Sequence, residues 1–300
     1  MKIKLLTASV AAILLAGCGS DDSDPTVKTY SVQAYDPAII GMKVEAICGG
    51  ETYEAIELTT NYEGMVGQAR FENLDVVNSP DECEFILTHT DSSRDASNGK
   101  PITTDYAIPK GLAQADGLVT GSPFTTLVAG SLAEGEIYSA DVAEKVFADL
   151  GIDINDIGVS VDELLLNTEQ VVQDLQEQGD DASSATATQL IATANVVSDV
   201  IKANPDASPE TISVSSKAIT EEVITANPNY PNSETGEVIY VEIPAEDAQQ
   251  VVGDVQDAID AGTPAEDIKP DVPPIPDPEV GEPIEPEDPP GGGTGGAGGN

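Results

Sequence analysis

From Lys28 to about Pro109 apolar and polar positions alternate with a period of two. Tyr30, Val32 and Ala34 alternate with Thr29, Ser31 and Gln33, and Val44, Ala46 and Cys48 with Lys43, Glu45 and Ile47. Met65 to Phe71 and Glu84 to Thr88 read as further strands. Asp36-Pro37, Gly49-Gly50, Asn61 to Gly64, Ser79-Pro80 and Asn98-Gly99 punctuate them with turn residues. Asn98-Gly99 suits a tight hairpin. Short alternating strands at this spacing predict an antiparallel β-sandwich over residues 28–120.

From Ser139 the period lengthens to about 3.6, the repeat of a helix. Ser139 caps a predicted helix with Val142, Val146 and Leu150 on one face and Gly151 at its end. Ser160 and Glu163 have capping-box spacing; the stripe Leu164, Leu165, Val171, Val172 and Leu175 then runs to Gly179 as one helix. Leu190, Ile191, Ala194, Val197 and Ile201 define a third helix stopped by Asn204-Pro205. Ser208-Pro209 opens a fourth, with Ile212, Ile219 and Val223 on its face. The third and fourth share the ending Ile-x-Ala-Asn-Pro at 201–205 and 224–228, two copies rather than a solenoid. Glu237 to Ile243 alternates like a strand. Ala248, Val251, Val252, Val255 and Ile259 predict a last helix before Gly262. Residues 121–262 are thus a mainly helical domain.

Beyond Thr263 the periodicity dissolves. Residues 271–290 hold eight prolines and seven acids with no base, and residues 291–300 hold seven glycines. Such composition predicts a disordered acidic Pro/Gly-rich tail over 263–300, whose proline part is extended; deletion of residues 271–300 is expected to leave folding unchanged. The expected fold class is α+β in several parts: sandwich, helical bundle, tail.

The first residues follow another logic. Lys2 and Lys4 precede an apolar run from Leu5 to Leu15, closed by Leu15-Ala16-Gly17-Cys18. A basic start, a short apolar stretch and small residues at the cut describe a secretory signal over residues 1–17. A spanning helix needs roughly 20 apolar residues, more than this run supplies before Gly19, Ser20, Asp21 and Asp22. Leu-Ala-Gly-Cys resembles the lipobox of bacterial lipoproteins, in which the cysteine becomes the acylated first residue. The resemblance implies lipidation of Cys18, palmitate among its acyl chains, and anchoring to a membrane, with 18–27 as an acidic tether. In that family an aspartate after the cysteine retains the protein in the inner membrane. Gly19 stands there, which implies the outer membrane, with the body facing the periplasm or the surface.

The chain of 300 residues carries 12 basic and 54 acidic residues, a formal charge of −42. Loss of Lys2 and Lys4 with the signal moves this to −44. That balance argues against nucleic acid as a partner, because phosphate recognition rests on Lys and Arg. It also argues against electrostatic docking on anionic lipid. With Cys18 assigned to lipid, Cys48 and Cys83 form an even pair in an exported chain and are read as one disulfide, the alternative being two buried free thiols.

Within the sandwich, Gly41-Met42-Lys43-Val44 and Thr60-Asn61-Tyr62-Glu63-Gly64 are similar to the G-A-x-V strand and T-D-x-x-G turn of carboxypeptidase-regulatory-like domains of bacterial surface lipoproteins, in which immunoglobulin-like domains also occur. Met42 and Asn61 depart from the pattern. Gly121 to Val128 resembles the P-L-T-T-L-V connector leading from such sandwiches into a helical region, with Phe124 in place of leucine. The resemblance brings no catalytic residues.

Nor does the chain offer a catalytic or metal set of its own. There is no G-x-S-x-G elbow and no glycine-rich phosphate loop. The single histidine, His89, sits between threonines. Asp153 to Gly158 begins like a calcium loop, but Ile157 and Leu164 occupy ligand positions and make it a polar turn. No cofactor is expected. Two functions compete: a non-enzymatic envelope lipoprotein that binds an envelope or surface protein or builds structure, and a hydrolase acting on polysaccharide or peptidoglycan through paired carboxylates.

Overall fold

The computed structural model describes residues 28–115 and 117–289. The signal, Cys18, the tether and residues 290–300 of the predicted tail lie outside the described residues.

The fold is mixed α+β. Its first strands are β1 (Tyr30–Ala34), β2 (Ile39–Ile40), β3 (Lys43–Cys48), β4 (Glu51–Glu54) and β5 (Gln68–Phe71). After a short helix, α1 (Leu74–Asn78), come β6 (Cys83–Thr88), β7 (Arg94–Asp95), β8 (Tyr106–Ile108) and β9 (Leu118–Gly121). One sheet has the order β4-β3-β6-β8 and is antiparallel throughout. A second has the order β5-β1-β9. The period of two explains their faces: successive side chains point to opposite sides. Val44, Ala46, Phe85 and Leu87 of one sheet and Tyr30, Val32, Ala69 and Phe71 of the other are all buried. Phe85 stacks on Tyr30 at 5.9 Å and meets Phe71 edge-on at 5.8 Å, which brings the two sheets into contact.

The second sheet departs from the expected antiparallel pattern. β1 pairs antiparallel with β5 but parallel with β9, Val32 opposite Val119. A parallel pair needs a long crossover. Residues 35–117, including the whole four-stranded sheet, form it, and no local periodicity signals such a pairing. Gly121, at the end of β9, lies so close to β6 that a Cβ there would collide with the Leu87 side chain.

The helices follow as α2 (Pro123–Ser131), α3 (Ala140–Asp149), α4 (Ile154–Ile157), α5 (Val161–Leu166), α6 (Thr168–Gln178), α7 (Asp181–Ala203) and α8 (Pro209–Ala226). Ser122 caps α2 in a reciprocal box with Thr125. The helix predicted over 161–178 is broken at Asn167 (φ −133°, ψ 46°). The Leu166 carbonyl there accepts the Thr120 hydroxyl of β9 at 2.8 Å, an interaction outside the helix itself. The repeated Asn-Pro endings are alike in structure. Asn204 and Asn227 each turn a side-chain N–H back to the carbonyl four residues earlier, Val200 and Val223, both at 3.1 Å.

The strand expected over 237–243 is only β10 (Ile239–Tyr240). The Ile243 N–H donates to the Asp199 carboxylate instead of a ladder. α9 (Ala245–Asp260) buries Ala248, Val251, Val252 and Val255, as its stripe predicts. One continuous set of buried apolar side chains runs from the sheets through α2 to α9, with no break near residue 120.

The expected disorder of 263–300 is corrected for residues 263–289. This segment is a strap laid along the body. Ile268, Val272 and Ile275 pack against the core, and β11 (Glu279–Val280) pairs with β10. Proline cannot donate, so the strap donates through the residues between its prolines. Gly281, Glu282, Ile284 and Glu287 N–H groups reach the carbonyls of Val238, Asn98, Ala96 and Asn61 at 2.7–3.0 Å. The approach is close: a Cβ on Gly281 would lie 2.6 Å from the Asn98 Cβ.

Candidate functional site

Cys48 and Cys83 stand directly opposite one another at the end of the β3–β6 ladder and form a disulfide, Cα atoms 4.3 Å apart. His89 lies where β6 ends, with Nδ1 2.6 Å from the exposed Asp105 carboxylate, which also accepts the His89 backbone N–H. Asp153 caps α4 by accepting from Asn155, as a polar turn would. Among the described residues no three His, Cys, Asp or Glu side chains are grouped to hold a metal ion.

The structure also assembles a buried polar junction that sequence reasoning missed. It lies where the sheets meet α7. The turn after β7 carries Lys100 inward, and its Nζ bonds both oxygens of Asp199 on α7, at 3.0 and 3.1 Å. Their side chains are 5% and 8% exposed. Asp199 Oδ2 also accepts the Ile243 N–H at 3.0 Å. Beside this pair, Tyr106 of β8 donates its hydroxyl to Asp36 at 2.9 Å, and Ser198 of α7 lies 2.9 Å from the same hydroxyl oxygen. Asp95 of β7 accepts the Ser97 N–H and hydroxyl and the Asn98 side chain, each at 2.7 Å.

Asp199 thus bonds the Lys100 ammonium directly, while Asp36 and Asp95 feel its charge without touching it. Desolvation sets the consequence, because burial disfavours the charged form. It pushes the Asp36 carboxyl up to about 7 against the opposing pull of Lys100 and the hydrogen bond from Tyr106. It pushes Asp95 up to about 7 against its bonds from Ser97 and Asn98 and the charge of the same lysine. Burial also raises Tyr35, Tyr106 and Tyr230. For Lys100 burial acts downward, but Asp199 and Asp36 outweigh it and hold the ammonium above its ordinary range. The sequence carried a faint signal: Asp199 interrupts the apolar run Val196, Val197, Val200, and Lys100 is one of only 12 bases.

Asp36 and Asp95 are fully buried. Asp199 alone lines an open cleft, of about 490 Å³, together with Lys202, Glu242, Gln249 and Glu279. The junction is thus placed to fasten the sheets to α7 and, through Ile243, to the segment before α9.

Comparison of the chain with known families, with characterised proteins and with solved structures finds no significant match.

Proposed function

We propose that this chain is a lipid-anchored protein of the bacterial cell envelope with a non-enzymatic binding or structural role, held in the outer membrane by acylation of Cys18. The observation that carries the proposal is the N-terminal sequence, in which Lys2, Lys4 and the apolar run lead into Leu15-Ala16-Gly17-Cys18. An acyl anchor supplies about 0.8 kcal/mol for each buried methylene, and two or more chains hold a protein stably. Among the described residues no helix is long and apolar enough to cross a membrane. The Cys48–Cys83 disulfide is consistent with an oxidising compartment outside the cytoplasm. In this reading the carboxypeptidase-regulatory-like or immunoglobulin-like resemblance describes a sandwich used for display, and the helices and strap brace it.

A hydrolase working through two carboxylates needs both at the substrate. The pair shifted into the neutral range, Asp36 and Asp95, is sealed, so we assign it to the interior rather than to catalysis. Fractionation of cells making the native chain and Cys18→Ser tests the proposal. The native protein is expected in the outer-membrane fraction and the variant in soluble form. Equal distribution of the two would remove the basis of the anchor.

A further inference from the structure

The Lys100–Asp199 contact differs in kind from the other lysine–carboxylate contacts of this chain. Lys43, Lys110, Lys145 and Lys202 also meet carboxylates, but their side chains are 40–61% exposed and share their partners with water. Lys100 and Asp199 are nearly sealed. The Lys100 Nζ donates to both Asp199 oxygens, at 3.0 and 3.1 Å, so it is almost equidistant from them and faces the carbon between.

Both partners are also held in place. The Lys100 N–H donates to Asn98 Oδ1 at 2.8 Å, and the Lys100 carbonyl accepts the Asp95 N–H at 2.9 Å, which fixes the turn. Asp199 stands near the end of the long helix α7. Its Oδ2 accepts the Ile243 N–H at 3.0 Å. An amine and a carboxyl held in contact and out of water react as if at very high concentration.

We propose that Lys100 and Asp199 condense to a side-chain amide, a covalent cross-link between the turn after β7 and α7. The step needs no co-reactant. A proton passes from Nζ to Asp199 Oδ1 inside the pair, giving an amine and a carboxylic acid, so none has to be released to solvent. The nitrogen lone pair attacks Cγ and the N–C bond forms. Negative charge gathers on Oδ2, where the Ile243 N–H already points. A second nitrogen proton passes to Oδ1, the Cγ–Oδ1 bond breaks with its electron pair on oxygen, and one water leaves. Of the three ammonium protons one stays on the amide nitrogen and two depart in that water. Asp199 lines the open cleft beside Lys202 and Glu242, which gives the water an exit.

The surroundings favour the product. An amide replaces two charges that are costly to keep out of water. Asp36 and Asp95 lose the lysine's charge, but burial pushes both carboxyls up to about 7, so they meet that loss by taking up protons. The bond ties residues 99 apart in sequence and fastens the sheets to the helices. It does not rest on the anchor proposal, since it is read at Lys100 and Asp199 and the anchor at Cys18.

Mass spectrometry of the purified full-length chain, unfolded and with Cys48–Cys83 reduced, tests it. The intact chain is expected to be lighter than its sequence requires by one water. Its proteolytic digest is expected to contain a branched peptide joining Lys100 to Asp199. Lys100→Arg keeps the positive charge but offers a guanidinium that is never deprotonated; it is expected to keep the full mass and to give no branched peptide. If that variant fails to fold, the peptide map of the native chain decides alone. Separate linear peptides for the two residues overturn the proposal. So does a water loss that maps to an imide at a single aspartate, without a branch.

Discussion

Lys100 and Asp199 show how a single pair can govern the interior of an acidic chain. Both side chains are almost fully buried, and Lys100 is a cation that Asp36 and Asp95 also feel. Removing one member of a buried pair leaves an uncompensated charge, which typically costs about 3–5 kcal/mol. Lys100→Met is therefore expected to lower unfolding stability by roughly that amount in urea titration at neutral pH. A change below about 0.5 kcal/mol, the size of an ordinary surface substitution, would mean that the pair carries no weight. The neighbouring acids set a pH dependence whose sign is fixed. Burial pushes the Asp36 and Asp95 carboxyls up to about 7 in the folded chain, from an ordinary value of 3.8. Between those values the folded chain holds protons that the unfolded chain has released, so these groups favour folding as the pH falls through 7 toward 4 and penalise it above 7. The melting temperature is expected to be higher at pH 5.5 than at pH 8. Asp36→Asn, which cannot ionise, is expected to flatten that difference. A melting temperature that rises steadily from pH 5.5 to 8 would contradict this assignment.

Among the elements, the strap is the least expected. Its composition describes a chain that cannot build a core by itself, and that inference is sound as far as it goes. It does not ask whether a few apolar residues could use a core built by others, as Val272 and Ile275 do against the helices. Deleting residues 271–300 is now expected to lower stability by about 2–4 kcal/mol, from the lost apolar burial of Val272 and Ile275 and the lost backbone bonds to Asn98, Ala96 and Asn61. Thermal unfolding of the truncated chain checks it, and an unchanged midpoint would return the segment to a passive tail. The contrast shows what periodicity can carry. β1, β3 and β6 were legible because five or six residues alternate in each, and α8 because Ser208-Pro209 and Asn227-Pro228 mark both ends. β2, β7, β10 and β11 have two residues each, too few for any period. The break between α5 and α6 coincides with a contact from Thr120, distant in sequence, and the parallel β1–β9 pairing depends on where a long crossover ends. The polar junction was illegible for the same reason: Lys100 and Asp199 are 99 residues apart and meet only when the sheets pack on α7. Cys48 and Cys83 were legible because parity, with Cys18 expected to carry lipid on an exported chain, pairs them without any knowledge of the fold.

At the scale of the molecule, 54 acids against 12 bases give a formal charge whose field opposes electrostatic docking on anionic surfaces. Attachment to a membrane would then need a part of the chain that is not anionic. The N-terminal segment up to Cys18 is that part: it carries two lysines and no acid. Acylation there would give an intensely charged body, its sheets, helices and strap packed on one continuous core, a fixed address. The most direct measurement is the intact mass and N-terminal fragment spectrum of the protein purified from its native membrane. A chain beginning at Cys18 and carrying a diacylglyceryl group and an N-acyl chain is the predicted result; an uncut precursor, or an N-terminus without acyl groups, would contradict it.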